Sequence, residues 1–185
     1  MDILSTLNFT LAVGGLALAA VTVVLYLDYF LWQGKYFTTR VKKAAWPVIM
    51  AVTIGSVAMS LLYSEYFGFI PCSLCWLQRI ALYPQALLSV LAFKQNDNRH
   101  FPVYGIWMSI FGLVVALYQY VEQMWPKEAT TGGIIPCLLD SVGADCADKV
   151  IDEFGFMTFP LLSAITFAFL IIVYLYMLRS PRNGV

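Results

Sequence analysis

Two pairs of cysteines are the residues in this chain whose types and spacing can do chemistry. Cys72-Ser73-Leu74-Cys75 is a close CxxC pair, followed one helical turn later by Arg79, and Cys137 and Cys146 form a second, looser pair. Paired thiols exchange disulfides when a thiolate attacks a disulfide sulfur, and a neighbouring cation or a helix N-terminus favours the thiolate. The loop pair has a bland alternative, a static disulfide that staples its segment. A zinc site built from all four thiolates fits the CxxC spacing, but no His is nearby. No metal is therefore expected. Inert buried thiols explain a single cysteine better than two paired sets.

The elements that must position these cysteines are membrane spans. Hydrophobic residues make up 61% of the chain and charged residues 12%, and mean hydropathy is +0.76, against roughly 25% charged residues in an average soluble domain. Crossing a bilayer takes about 20 apolar residues in a helix, and five stretches approach that length, at 11–31, 45–67, 76–93, 103–121 and 159–178. The third is the shortest, interrupted by Gln78, Arg79, Pro84 and Gln85. The long unbroken apolar runs lack the alternation of a β-barrel. No basic patch with interleaved aromatics supports nucleic-acid binding. The expectation is an all-α membrane protein.

Orientation follows from the cations. Lys35, Arg40, Lys42 and Lys43 lie between spans one and two, Lys94 and Arg99 between three and four, and Arg179 and Arg182 after span five. The positive-inside rule makes these segments and the C-terminus cytoplasmic. The N-terminus and the acidic segment 122–157 are then outside, which places all four cysteines in a compartment where disulfides persist. The first span has no leading Lys or Arg and no convincing cleavage site, so it reads as an uncleaved anchor. Asp28, near its inner end, reads as a snorkelling or interfacial carboxylate. His100 reads as a loop residue on the cytoplasmic side.

Pro71 ends an irregular segment, so the CxxC opens the third span, beside unpaired backbone N–H groups at the positive end of a helix dipole. Helical spacing puts Cys72, Cys75 and Arg79 on one face. Placing Arg in a span costs about 2.5–3.5 kcal/mol at the bilayer centre, which asks for a functional explanation, although an arginine that snorkels to lipid phosphate is the alternative. Two dithiols at a lipid boundary with a cation beside one of them suit electron passage between soluble thiols and a lipid-soluble carrier.

The stretch Pro71-Cys72-Ser73-Leu74-Cys75-Trp76-Leu77-Gln78-Arg79 resembles the signature of the DsbB family of disulfide-generating membrane proteins. Tyr83-Pro84, Ile135-Pro136-Cys137 and Phe154-Gly155-Phe156-Met157-Thr158-Phe159-Pro160 extend the likeness, particularly to short-loop, BdbC-like members. The resemblance runs from about residue 45 to the C-terminus. It implies a four-helix transmembrane bundle, residues 45–185, preceded by one additional N-terminal transmembrane helix and a cytoplasmic loop, residues 1–44. It also implies a bacterial inner-membrane thiol:quinone oxidoreductase that reoxidises a soluble DsbA-like thioredoxin-fold thiol oxidase and draws on the membrane quinone pool, ubiquinone or menaquinone. Carried onto these positions, Cys72 and Cys75 are the quinone-side pair, with Cys75, Gln78 and Arg79 at the cofactor. Cys137 receives the partner's attack, and Cys146 resolves toward Cys72. Two features depart from the family: the loop cysteines are closer together than in the well-known Gram-negative members, and the first span is extra. A vitamin K epoxide reductase-like enzyme is the competing reading, opposed by pair order, since there the loop pair precedes the CxxC. A non-catalytic scaffold with stapled loops is a third. Transport is weaker, because Arg79 is the one ionisable group well inside an apolar run.

Overall fold

The computed structural model describes residues 3–124 and 151–179. Five helices account for nearly all of them: α1 (Ile3–Phe30), α2 (Thr38–Leu61), α3 (Ser73–Gln95), α4 (His100–Met124) and α5 (Phe159–Leu178). A π-helical turn, Leu62–Tyr66, carries α2 onward. The sole β feature among the described residues is an isolated antiparallel bridge between Glu153 and Met157. The protein is all-α, as the apolar periods require.

Among the described residues, four helices are long and apolar enough to cross a membrane: α1, α2 with its π turn, α4 and α5, with mean hydropathies of 2.2, 1.8, 1.8 and 2.4. The chain is a multi-pass membrane protein. At 23 residues α3 has comparable length, about 35 Å at the helical rise, but its polar residues dilute its hydropathy. Helices α1 and α2 begin earlier than hydropathy predicts, because polar residues at the span ends stay helical. Thr10, for instance, donates its hydroxyl to the Thr6 carbonyl at 2.7 Å.

The centre of the bundle is α5. It is apolar all round, and Leu170, Ile172, Val173, Tyr174 and Tyr176 are buried along it, as befits a helix enclosed by others. Helices α1, α2 and α4 pack on α5, while α3 packs against α2 and α4. The α4–α5 approach is set by glycines. A Cβ at Gly105 would lie 2.6 Å from the Tyr174 ring, and one at Gly112 would collide with Phe167. Small residues let helix backbones close in where lipid supplies no hydrophobic drive between helices. One buried amide ties three helices: Gln85 on α3 accepts from Ser109 of α4 at 3.2 Å and from the Tyr174 hydroxyl of α5 at 2.9 Å, and donates to the Ala81 carbonyl.

Asp28 corrects the sequence reading. It does not snorkel; it is fully buried. Its carboxylate accepts from the backbone N–H groups of Tyr36 and Phe37, at 3.2 and 3.3 Å, and from the Tyr176 hydroxyl at 2.8 Å. The α1–α2 turn folds back over it, so the charge is spent on amides that the turn would otherwise leave unpaired. At the α3–α4 turn Asp97 accepts from the His100 and Phe101 N–H groups. The His100 N–H, and after it the Arg99 N–H at 3.3 Å from the same carboxylate, hold its carboxyl below the ordinary carboxylate range. His100 is the exposed first residue of α4.

The segment 151–158 is ordered by its own geometry. Glu153 and Met157 exchange backbone hydrogen bonds at 3.2 and 2.9 Å around Phe154 and Gly155, both left-handed at φ +57° and +75°. Ile151, Met157 and Thr158 are buried, and Pro160 starts α5 where its missing N–H costs nothing.

Candidate functional site

The CxxC sits at the mouth of α3. Cys72 is the N-cap residue, with extended backbone (φ −71°, ψ 171°), and its sulfur accepts the Cys75 N–H at 3.4 Å. A thiol thus replaces the usual Ser or Asp cap. The two sulfurs lie 3.0 Å apart as free thiols. Leu74, Leu77, Val115 and Tyr118 pack around them.

The sequence reading missed Gln119. This α4 residue is 2% exposed, and its amide nitrogen lies 3.3 Å from the Cys72 sulfur and 3.5 Å from the Cys75 sulfur. Gln78 donates to the Gln119 oxygen at 2.7 Å. With its oxygen accepting from Gln78, the Gln119 amide turns its nitrogen to the sulfurs. A signal existed in the sequence: Gln119 is an amide inside an apolar run, in helical phase with Ser109, Gly112 and Ala116, all buried. Only packing shows that this stripe meets the CxxC.

Arg79 is brought to the same end of α3 but turns elsewhere. Its Nε donates to the Ser60 hydroxyl at 3.0 Å, and a terminal nitrogen donates to the Ser60 carbonyl at 3.1 Å. The guanidinium also lies 5.1 Å from the Trp76 ring centroid and 6.0 Å from that of Tyr83. It is 9% exposed and held to α2 just before the π turn, a local geometry common at functional sites. No hydrogen bond joins it to either sulfur, so Gln119 is the sulfurs' polar neighbour and Arg79 lies one turn further in. Cys137 and Cys146 lie outside the described residues.

The α3 face below the sulfurs carries groups that could hold a quinone head group. The Tyr83 hydroxyl is buried with no partner, a donor without an acceptor beside a guanidinium. Trp76 and Ile80 are exposed on the same helix. A quinone offers two carbonyl acceptors and a flat ring, which match a hydroxyl donor, a cation and aromatic walls.

Comparison with known proteins places the chain in a family. A family described as "Disulfide bond formation protein DsbB" matches residues 42–177. Disulfide bond formation protein C of Bacillus subtilis is 37% identical over 140 residues, covering 76% of this chain and 93% of that protein. Probable disulfide formation protein C 2 of Bacillus anthracis is 32% identical over 139 residues, covering 74% and 94%. No solved structure matches the chain significantly. Residues before 42 lie outside the family match.

Proposed function

Because the chain belongs to the DsbB family of disulfide bond formation proteins, membrane oxidoreductases that form disulfides, we propose that it carries electrons from a soluble, extracytoplasmic, DsbA-like thioredoxin-fold dithiol to a membrane quinone. The observation that carries this reading is the free Cys72–Cys75 dithiol at the mouth of α3, with buried Arg79 and the unpartnered Tyr83 hydroxyl deeper on the same helix. Residues 45–185 hold this machinery, and residues 1–44 are an added anchor.

The relay runs in thiol–disulfide exchanges that balance at every step. A partner thiolate attacks the Cys137 sulfur of a Cys137–Cys146 disulfide, and the partner's second thiol resolves the mixed disulfide, leaving the partner oxidised and the loop pair reduced. Cys146 then attacks Cys72 of the Cys72–Cys75 disulfide, and Cys137 closes the loop disulfide again, which leaves Cys72 and Cys75 reduced. Gln119 donates toward both sulfurs. Closing the Cys72–Cys75 disulfide releases two electrons and two protons. The quinone, when bound, supplies the two-electron acceptor. Cys75, Gln78 and Arg79 would line its approach; Arg79 and the Tyr83 hydroxyl would hold its oxygens, and Arg79 would contribute a fixed positive charge where negative charge develops.

The test is reconstitution of the full chain with a quinone and a reduced thioredoxin-fold protein, with quinone absorbance and partner thiols followed together. The expected result is one quinone reduced for each pair of partner thiols lost. Loss of partner thiols without quinone reduction would remove the quinone from the function.

A further inference from the structure

The cation-rich ends of α1 and α2 build a second site, at the opposite end of the bundle from the sulfurs. Helices α1 and α2 both pack on α5 but scarcely on each other, so a crevice opens between them. At its mouth is a cleft of about 630 Å³ lined by Lys35, Lys42, Lys43, Arg179 and the hydroxyl-bearing Thr38 and Thr39. Deeper along the helices lies an apolar groove of about 210 Å³, with Leu25 from α1, Val41 and Val48 from α2, and Phe169 and Val173 from α5. Arg40 stands at the side of the groove.

None of the described residues that line the cleft is an anion. No described carboxylate forms an ion pair with Lys35, Lys42, Lys43 or Arg179, and Asp28 beneath the turn is spent on amides and Tyr176. Lys42 donates to the Arg179 carbonyl, and the Arg179 guanidinium lies 4.8 Å from the Tyr29 ring and 3.4 Å from the Tyr29 carbonyl, so among the described residues both are held in place by neutral groups. Arg40, Lys42 and Lys43 also crowd the first turns of α2, where the helix dipole is already positive and the N-cap residue Phe37 supplies no side-chain bond. Four cations in one cleft repel one another unless an anion joins them. Trp32 and Tyr36 flank the cleft, exposed and in edge contact at 5.9 Å, the aromatic signature of headgroup depth.

Charge complementarity above and an apolar channel below fit one kind of molecule. We infer that the α1–α2 crevice binds an anionic glycerophospholipid, its phosphate headgroup held by Lys35, Lys42, Lys43 and Arg179 and an acyl chain lying along the groove on α5. Basic pockets between spans take anionic lipid in this way. The bound lipid fills the gap that direct packing leaves between α1 and α2, and it ties the added first helix to the bundle. Lys35, Thr38 and Thr39 fall before residue 42, where the family match begins, so the site belongs in good part to the chain's own addition. The inference needs only that the chain spans a membrane and is read out by lipid binding, so it stands or falls apart from the quinone reading.

The test is native mass spectrometry of the full chain in detergent with added phosphatidylglycerol, phosphatidylcholine of the same acyl chains, or inorganic phosphate. One phosphatidylglycerol should be retained at least about tenfold more strongly than phosphatidylcholine. The combined variant Lys35→Gln, Lys42→Gln, Lys43→Gln should lose about a hundredfold of that affinity. Val48→Trp, which blocks the groove, should weaken the lipid but leave any phosphate binding unchanged. Lys94→Gln with Arg99→Gln, cations outside the cleft, should bind as the parent does. Equal retention of phosphatidylcholine, equal loss in the Lys94/Arg99 variant, or inorganic phosphate competing the lipid away at comparable concentration would overturn the assignment.

Discussion

Three amides and a guanidinium divide the work around α3. Gln119 faces the sulfurs because Gln78 occupies its oxygen, Gln85 is spent on joining helices, and Arg79 is braced on Ser60. Replacing Gln119 with Leu removes the donor shared by both sulfurs. A hydrogen bond to a charged group is worth about 1.5–3 kcal/mol, so Gln119→Leu is expected to slow quinone reduction and alkylation of the reduced CxxC by roughly tenfold or more, while exchange between the loop pair and the soluble partner continues. An unchanged alkylation rate would make Gln119 a packing residue. For Arg79→Gln the expected result is a quinone Michaelis constant raised about tenfold with partner exchange intact. Arg79→Lys should recover only part of it, because Lys keeps the charge but cannot span the Ser60 hydroxyl and carbonyl with a planar fork. Parental quinone kinetics in a folded Arg79→Gln protein would confine this arginine to bracing α2.

Helices α4 and α5 meet through glycine faces, and that contact also sets the site, because α4 delivers Gln119. Gly105 lies against Tyr174, which in turn donates to Gln85. Gly105→Ala should push the ring, weaken that hydrogen bond and lower stability by about 1–3 kcal/mol, the usual cost of overpacking, visible as a lower thermal midpoint in detergent. Gly14→Ala is the matched control: a Cβ there meets nothing within 4 Å, so the midpoint should hold or rise slightly through helix propensity. Equal losses in both variants would mean that backbone effects, not the α4–α5 contact, control stability.

For the whole molecule, sidedness is the quantity to measure. With Lys35, Lys42, Lys43, Lys94, Arg99 and Arg179 on one side, the reduced cysteines are expected to react only with membrane-impermeant reagents added from the other; labelling of Cys137 from the cation side of sealed vesicles would reverse the topology. The sequence by itself determined the helical membrane class, the start of α3 at the CxxC and the burial-prone arginine, because these depend on local composition, capping and hydropathy. The likeness carried by Pro71 to Arg79 was also legible there, being a matter of residue order. Tertiary structure alone decided that Gln119 reaches the sulfurs, that Arg79 turns to Ser60, that Asp28 closes a turn instead of reaching for the interface, and that α1 and α2 leave a cationic crevice between them. Each of these depends on which face of one helix meets another. That is a long-range choice, fixed here by the glycine contacts of α4 with α5 and by the central position of α5, and no local periodicity encodes it.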